Sequence, residues 1–195
     1  MDKLFAVALG YALGSIPFGL LLTRLFGAGD LRSIGSGSIG ATNVLRTGRK
    51  ELAAATLVLD LVKGLIAVLL AWRLFPDAAG LTAIGAILGH CFPLWLRFKG
   101  GKGVATMMGV VLGLAWPVAL VYALTWLGML ALTRISSLAG MSAALAAPVA
   151  AWATGNSAIV PELGALAALV LWLHRENIGR LRAGTEPRIG GGKAS

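Results

Sequence analysis

The sequence predicts an all-α, polytopic membrane protein with seven transmembrane helices, its N-terminus outside and its C-terminus in the cytoplasm. Three observations predict it. Apolar residues make up 57% of the 195-residue chain and charged residues only 13%, and the mean hydropathy of +0.83 is beyond that of a domain with a solvated surface. The apolar residues also fall in runs long enough to cross a bilayer, separated by short polar segments. Lysine and arginine, finally, collect in alternate segments, as they do in cytoplasmic loops. One integral membrane domain spanning residues 1–195 is expected. The net charge of +9 sits between apolar runs and near the C-terminus, so lipid headgroups, not nucleic acid, are its expected partners. A single cysteine, Cys91, excludes an internal disulfide and reads as a packing residue.

Residues 4–26 form the first expected span, kinked at Pro17, with Gly10, Gly14 and Gly19 as small residues that admit a neighbouring helix. Lys3 leads into an apolar run without a convincing cleavage site, so this helix is expected to stay. Residues 52–75 form a second span carrying Asp60 and Lys63 on one helical face, where they should pair. Such a pair is either a functional group or a lock inside the bundle, and the sequence leaves both open. After a turn at 76–80, residues 81–96 form the third run, followed by a basic loop at 97–103. Residues 104–133 are apolar for about 30 residues, too long for one ordinary span. Trp116-Pro117 divides them into a fourth and a fifth. A polar turn at 134–137, a sixth span at 138–154, a turn at 155–162 and a seventh span with its core at 163–173 complete the pattern. The tail is basic, with Gly190-Gly191-Gly192 as its low-complexity stretch, and no internal repeat is evident.

With seven spans, Arg32, Arg46, Arg49 and Lys50, then Arg97, Lys99 and Lys102, then Arg134, and the tail from Arg175 all fall inside. Six spans would put Arg134 and the tail outside, against the rule.

Three polar stretches then lie on the cytoplasmic side. In the first, residues 30–49, Gly35, Gly37 and Gly40 let the backbone turn with positive φ and approach a ligand, while Ser36, Ser38, Thr42, Asn43 and Arg46 supply donors. Backbone N–H nests and an arginine fork suit phosphate. A plain connector between helices would need fewer such groups. In the second stretch, Phe98-Lys99-Gly100-Gly101-Lys102-Gly103-Val104 resembles a phosphate loop superficially but lacks the Walker A ending and its strand, which argues against nucleotide hydrolysis. Gly101 and Lys102 at a helix start still suit an anion; Lys99 reads as topogenic. In the third, His174 and Asn177 are three residues apart and face one way at the end of the seventh helix. His90 reads as a satisfied histidine or an indirect partner. Two histidines with few nearby carboxylates make a poor zinc site, so no metal is expected. Trp72, Trp95, Trp116 and Trp172 lie near helix ends, as interfacial anchors do.

Together GSGSIGATNVLRTG, GHCFPLWLRFKGGKGVAT and HRENIGRLRAGTEPRIG, with GSIPFG at 14–19 and LDLVKG at 59–64, resemble the signature of the bacterial acyl-phosphate glycerol-3-phosphate acyltransferase family. The resemblance covers most of the chain. It implies a seven-helix inner-membrane enzyme, active on the cytoplasmic side, that moves a fatty acyl group from long-chain acyl phosphate to the first hydroxyl of glycerol 3-phosphate. Lysophosphatidate and inorganic phosphate would be its products, with no cofactor and no obligate protein partner. It implies that Ser36, Thr42, Ser137, His174 and Asn177 surround the acyl phosphate or the reacting centre, with Ser36, His174 and Asn177 catalytic. Arg46 and Lys102 would take glycerol 3-phosphate, and Ser38, Asn43, Gly35, Gly37 and Gly101 would complete the substrate site. Ser38 stands where the family commonly has asparagine, and Gly140 replaces a small polar residue.

A mixed anhydride is already activated, so positioning and electrostatics suffice, with a substrate phosphate oxygen taking the proton. His174 as a general base stays open; a covalent serine lacks a His-Asp relay. The rival from another class is a small anion or organic-phosphate transporter, which basic loops and broken helices also suit. A carrier, however, should be lined with polar groups from both faces, and here they gather on one.

Overall fold

The computed structural model describes residues 1–190; Gly191 and Gly192 of the glycine run lie outside the described residues. Among the described residues the chain is helical, without strands. It divides into two compact units, Met1–Leu114 and a second that begins at Ala115.

In the first unit, α1 (Asp2–Gly14) and α2 (Phe18–Leu25) flank a break at Ser15–Pro17. Pro17 has no N–H to continue the ladder, so the kink expected there is a true interruption. α3 (Ala41–Leu45) is a single turn, α4 (Lys50–Leu74) runs about 38 Å, and α5 (Ala79–Cys91) and α6 (Val104–Leu114) complete the unit. Glycines decide how these helices meet. Gly10 and Gly14 of α1 lie against the backbone at Thr82 and Ala86, and Gly85 and Gly89 of α5 against Val7 and Tyr11. A Cβ at any of the four would overlap a facing carbonyl oxygen. Two Gly-x-x-x-Gly faces thus pack into each other, the close approach by which helices associate where lipid removes the hydrophobic drive. Gly64 and Gly109 let α4 and α6 meet in the same way, and Gly19 admits the Ile39 carbonyl of the following loop.

The second unit contains α7 (Trp116–Thr133), α8 (Ser136–Ala153), α9 (Val160–Leu173) and α10 (Arg175–Arg182). Ala115 is extended and Pro117 sits in the first turn of α7, where its missing N–H costs nothing. The division expected at Trp116-Pro117 is present. In α8 the buried face is alanine (Ala139, Ala143, Ala144, Ala147, Ala150, Ala151), whereas Leu145, Val149 and Trp152 are exposed. Small residues inside and large apolar residues outside are the pattern of a helix facing lipid.

By length and composition five segments suffice to cross a membrane: Asp2–Leu25, Lys50–Leu74, Pro76–Leu96, Trp116–Thr133 and Ser136–Ala153. Ser157–Leu173 and Arg175–Arg182, bent by 58°, add a sixth if the pair is one span. Val104–Leu114 is apolar but only 11 residues long, about 17 Å, short of a hydrocarbon core.

Candidate active site

The loop after α2 is built on Asn43. Asp30 accepts hydrogen bonds from the Arg32 backbone N–H and guanidinium at 2.9–3.0 Å, which starts a 3₁₀ turn at Leu31–Ser33. These bonds from Arg32 hold the Asp30 carboxyl down at about 2. Gly35 and Gly37 then take φ of +55° and +65°, as expected, but Gly40 does not: its φ is −78° and it precedes α3 as extended backbone. Asn43 is buried and turned inward. Its Nδ2 donates to Leu31 O (2.9 Å) and Ser38 O (2.8 Å), and its Oδ1 accepts from Ser36 N (3.2 Å) and Arg46 Nη1 (3.3 Å). Both amide hydrogens of Asn43, expected at the substrate, are committed to the loop. Around that clamp Ser36, Thr42 and Arg46 are exposed and Ser38 half-buried. Gly35 lies so close to Asn43 and Arg46 that a Cβ would meet Arg46 Nη1 and Asn43 Oδ1.

The second stretch folds back on the end of α5. Gly100 N–H donates to Cys91 O and Gly101 N–H to His90 O, each at 3.0 Å. Gly101 was expected to offer its N–H to an anion; instead that N–H is spent on His90, and glycine is required because a Cβ would strike the imidazole. Lys102 follows, half-buried, at the entry to α6. Beneath the loop, Asp60 and Lys63 pair at 2.6 Å, as their spacing predicts. Lys63 Nζ also donates to Ile16 O (2.8 Å), at the break before α2, and to His90 Nδ1 (2.9 Å). Trp95 donates to Ser15 O, and Tyr11 bonds both Phe92 O and Leu94 N, so the approach to the loop is fastened to α1.

In the second unit His174 and Asn177 do not lie within one helix. α9 stops at Leu173, His174 is the junction residue, and Asn177 lies in the first turn of α10; both are buried. His174 Nδ1 lies 2.7 Å from Val170 O. A carbonyl can only accept, so a neutral ring carries its proton on Nδ1 and its lone pair on Nε2. Ser137 and Asn177 meet at a residue absent from the expected site, Glu186. Its Oε1 accepts from Ser137 Oγ (2.6 Å) and Asn177 Nδ2 (2.5 Å), and its Oε2 from Arg180 Nε (2.7 Å). Burial by itself would raise the Glu186 carboxyl, but these three bonds together bring it below the usual glutamate range. One signal was available: a lone carboxylate between Arg182 and Arg188. Ile189 and Arg134 exchange hydrogen bonds (Ile189 N to Arg134 O, 2.7 Å; Arg134 Nε to Ile189 O, 3.1 Å), which ties the tail to the α7–α8 corner.

In the first unit Arg46, Ser36 and Lys102 supply cations and a hydroxyl suited to a phosphate, whereas in the second Ser137, Asn177 and Arg180 gather on the Glu186 carboxylate. Residues 4–184 match the family model for glycerol-3-phosphate acyltransferase. The chain is 68% identical to the glycerol-3-phosphate acyltransferase of Novosphingobium aromaticivorans over 99% of its length and 98% of that protein. It is 63% identical to that of Erythrobacter litoralis, over 97% and 96%. Among solved structures it is similar to PlsY, an integral membrane glycerol 3-phosphate acyltransferase. The glycerol 3-phosphate form has a TM-score of 0.91 at 40% identity, covering 97% of this chain and 96% of that one. For the lysophosphatidic acid form the values are 0.89 and 38%, covering 96% and 95%.

Proposed function

The chain belongs to the glycerol-3-phosphate acyltransferase family, and we propose that it transfers a fatty acyl group from long-chain acyl phosphate to the sn-1 hydroxyl of glycerol 3-phosphate, releasing lysophosphatidate and inorganic phosphate. The observation that carries this reading is the near full-length likeness to a structure in glycerol 3-phosphate and lysophosphatidic acid forms, the acceptor and the product of such a transfer. Acyl phosphate as donor is supported by short loops that offer little surface to a nucleotide or a carrier protein. The whole chain, 1–195, acts as one acyltransferase domain of the bacterial inner membrane. Seven crossings, counting the short Val104–Leu114 helix and the bent pair as one each, put the basic loops and the active site on the cytoplasmic side.

In this reading Arg46 and Lys102 bind the acceptor phosphate, the first as a fork and the second as a point charge. Gly35, Gly37 and Ser38 shape the loop that presents Arg46, and Asn43 braces it. Ser36, Thr42 and Ser137 contact the donor, while His174 and Asn177 orient the anhydride. The sn-1 oxygen attacks the acyl carbon, and the bond between that carbon and the phosphate oxygen breaks. The hydroxyl proton leaves on a phosphate oxygen, so the products are an ester and inorganic phosphate, with no cofactor consumed. Oriented donors at the developing oxyanion are worth about 3 kcal/mol each in such transfers.

The test is lysophosphatidate formation by purified protein in a lipid phase, with glycerol 3-phosphate and either acyl phosphate or acyl-CoA. Product from acyl phosphate alone is expected. Product from acyl-CoA alone would overturn the donor assignment.

A further inference from the structure

Asp60, Lys63 and His90 take no part in the reaction drawn above, yet they are an ionisable cluster buried in the first unit, each at most 4% exposed. We propose that this trio is the positioning unit of the Gly100–Lys102 loop: Lys63 sets the His90 ring, and the ring sets where Gly101, and with it Lys102, stands. The inference rests on the reading of Lys102 as an acceptor-phosphate ligand.

Lys63 Nζ meets three groups: it donates to Ile16 O at 2.8 Å and to His90 Nδ1 at 2.9 Å, and it forms an ion pair with Asp60 Oδ1 at 2.6 Å. The ammonium is held from three directions. Because Lys63 can only donate, His90 Nδ1 accepts and the ring proton lies on Nε2. That fixes the imidazole plane from one side. On the other side, Nε2 and its neighbouring carbons occupy the space a Cβ of Gly101 would need, so the loop backbone rests directly on the ring. The backbone of the same residues closes the arrangement, with Gly101 N–H on His90 O and Gly100 N–H on Cys91 O. Lys102 is the next residue along.

Stability alone does not account for the trio. Three apolar side chains of equal volume would fill the space without the cost of desolvating an ion pair, and a buried pair is weak evidence for stability. What an apolar trio would not supply is a direction for the His90 ring. Asp60 holds Lys63, Lys63 orients His90, and His90 acts on the phosphate site through Gly101.

The test compares wild type with Lys63→Met, His90→Ala, His90→Asn, Gly101→Ala and the Gly101→Ala/His90→Ala double variant. For His90→Ala and Lys63→Met the KM for glycerol 3-phosphate is expected to rise about tenfold while kcat changes far less, since a displaced binding group costs on this scale. His90→Asn, whose side-chain carbonyl can accept the Lys63 hydrogen, recovers most of the loss. Gly101→Ala resembles His90→Ala, and the double variant is no worse than either single one, because the methyl then enters the space the ring has left. Additive losses in the double variant, or a fall in kcat with KM unchanged, would overturn the proposal. Should Lys63→Met not fold, the contrast between His90→Asn and His90→Ala decides. Amide exchange at Gly100 and Gly101, expected to quicken in His90→Ala, tests the loop placement without turnover. An inactive wild type would sink the proposed function, whereas unchanged exchange would sink this inference.

Discussion

Asn177 donates its Nδ2 hydrogen to the carboxylate of Glu186, a residue from the segment beyond α10. The same carboxylate takes Ser137 and Arg180, so two expected site residues are oriented by a tail group.

Glu186→Gln is expected to destabilise the second unit and to remove an acid sensitivity. A hydrogen bond to a charged group contributes on the order of 2 kcal/mol, discounted here at Arg180, whose side chain is 35% exposed. Because the folded state holds Glu186 below the usual glutamate range, its stabilisation is present above that range and is lost as pH falls through the depressed folded value. Thermal midpoints followed from neutral to acid pH should drop for the wild type and flatten for the variant. Parallel curves would show that the carboxylate contributes nothing.

His174→Ala should lower kcat by about 10² to 10⁴ and leave residual transfer, since positioning by the other groups persists. Mass spectrometry of protein quenched during turnover should find no acylated serine. An acyl-Ser36 or acyl-Ser137 adduct would replace direct transfer with a covalent route.

Gly35 and Gly40 separate by conformation. Gly35→Ala adds a methyl against Arg46 and Asn43 at a φ of +55°, a strain of about 1–3 kcal/mol that falls on the arginine fork; KM for glycerol 3-phosphate should rise. Gly40→Ala meets nothing nearer than Ser38 Oγ at 3.7 Å, at a negative φ, and should be tolerated. Equal kinetics for the two would contradict the loop geometry.

The α1–α5 crossing is open to the same comparison. Gly14→Ala drives a methyl into the Ala86 backbone and should cost about 1–3 kcal/mol, as overpacking does. Gly128→Ala, in α7 with open space around it, should be neutral or mildly stabilising. Unfolding midpoints in detergent measure both.

Local chemistry was legible in the sequence and long-range contact was not. Pro17 and Pro117 stand at chain breaks, whereas Pro148 lies inside α8, and Asp60 and Lys63 paired because three residues make one helical face. The inward turn of Asn43 depends on where Leu31 and Ser38 place their carbonyls, and the need for glycine at 101 depends on a histidine eleven positions earlier. Glu186 reaches Ser137 across 49 residues, a relationship no spacing rule contains. The span count was the least secure because hydropathy finds apolar runs but does not say where helices end: Val104–Leu114 is shorter than its run promised, and the last apolar helix stops at Leu173, where His174 turns the chain into α10.

The most direct measurement is the balance of lysophosphatidate made and phosphate released by the purified protein in lipid vesicles supplied with acyl phosphate and glycerol 3-phosphate. One phosphate per lysophosphatidate, none without the acceptor, and loss of both when Arg46 or Lys102 becomes alanine is the predicted result. Folded protein that makes no lysophosphatidate yet carries glycerol 3-phosphate across the vesicle wall would contradict it.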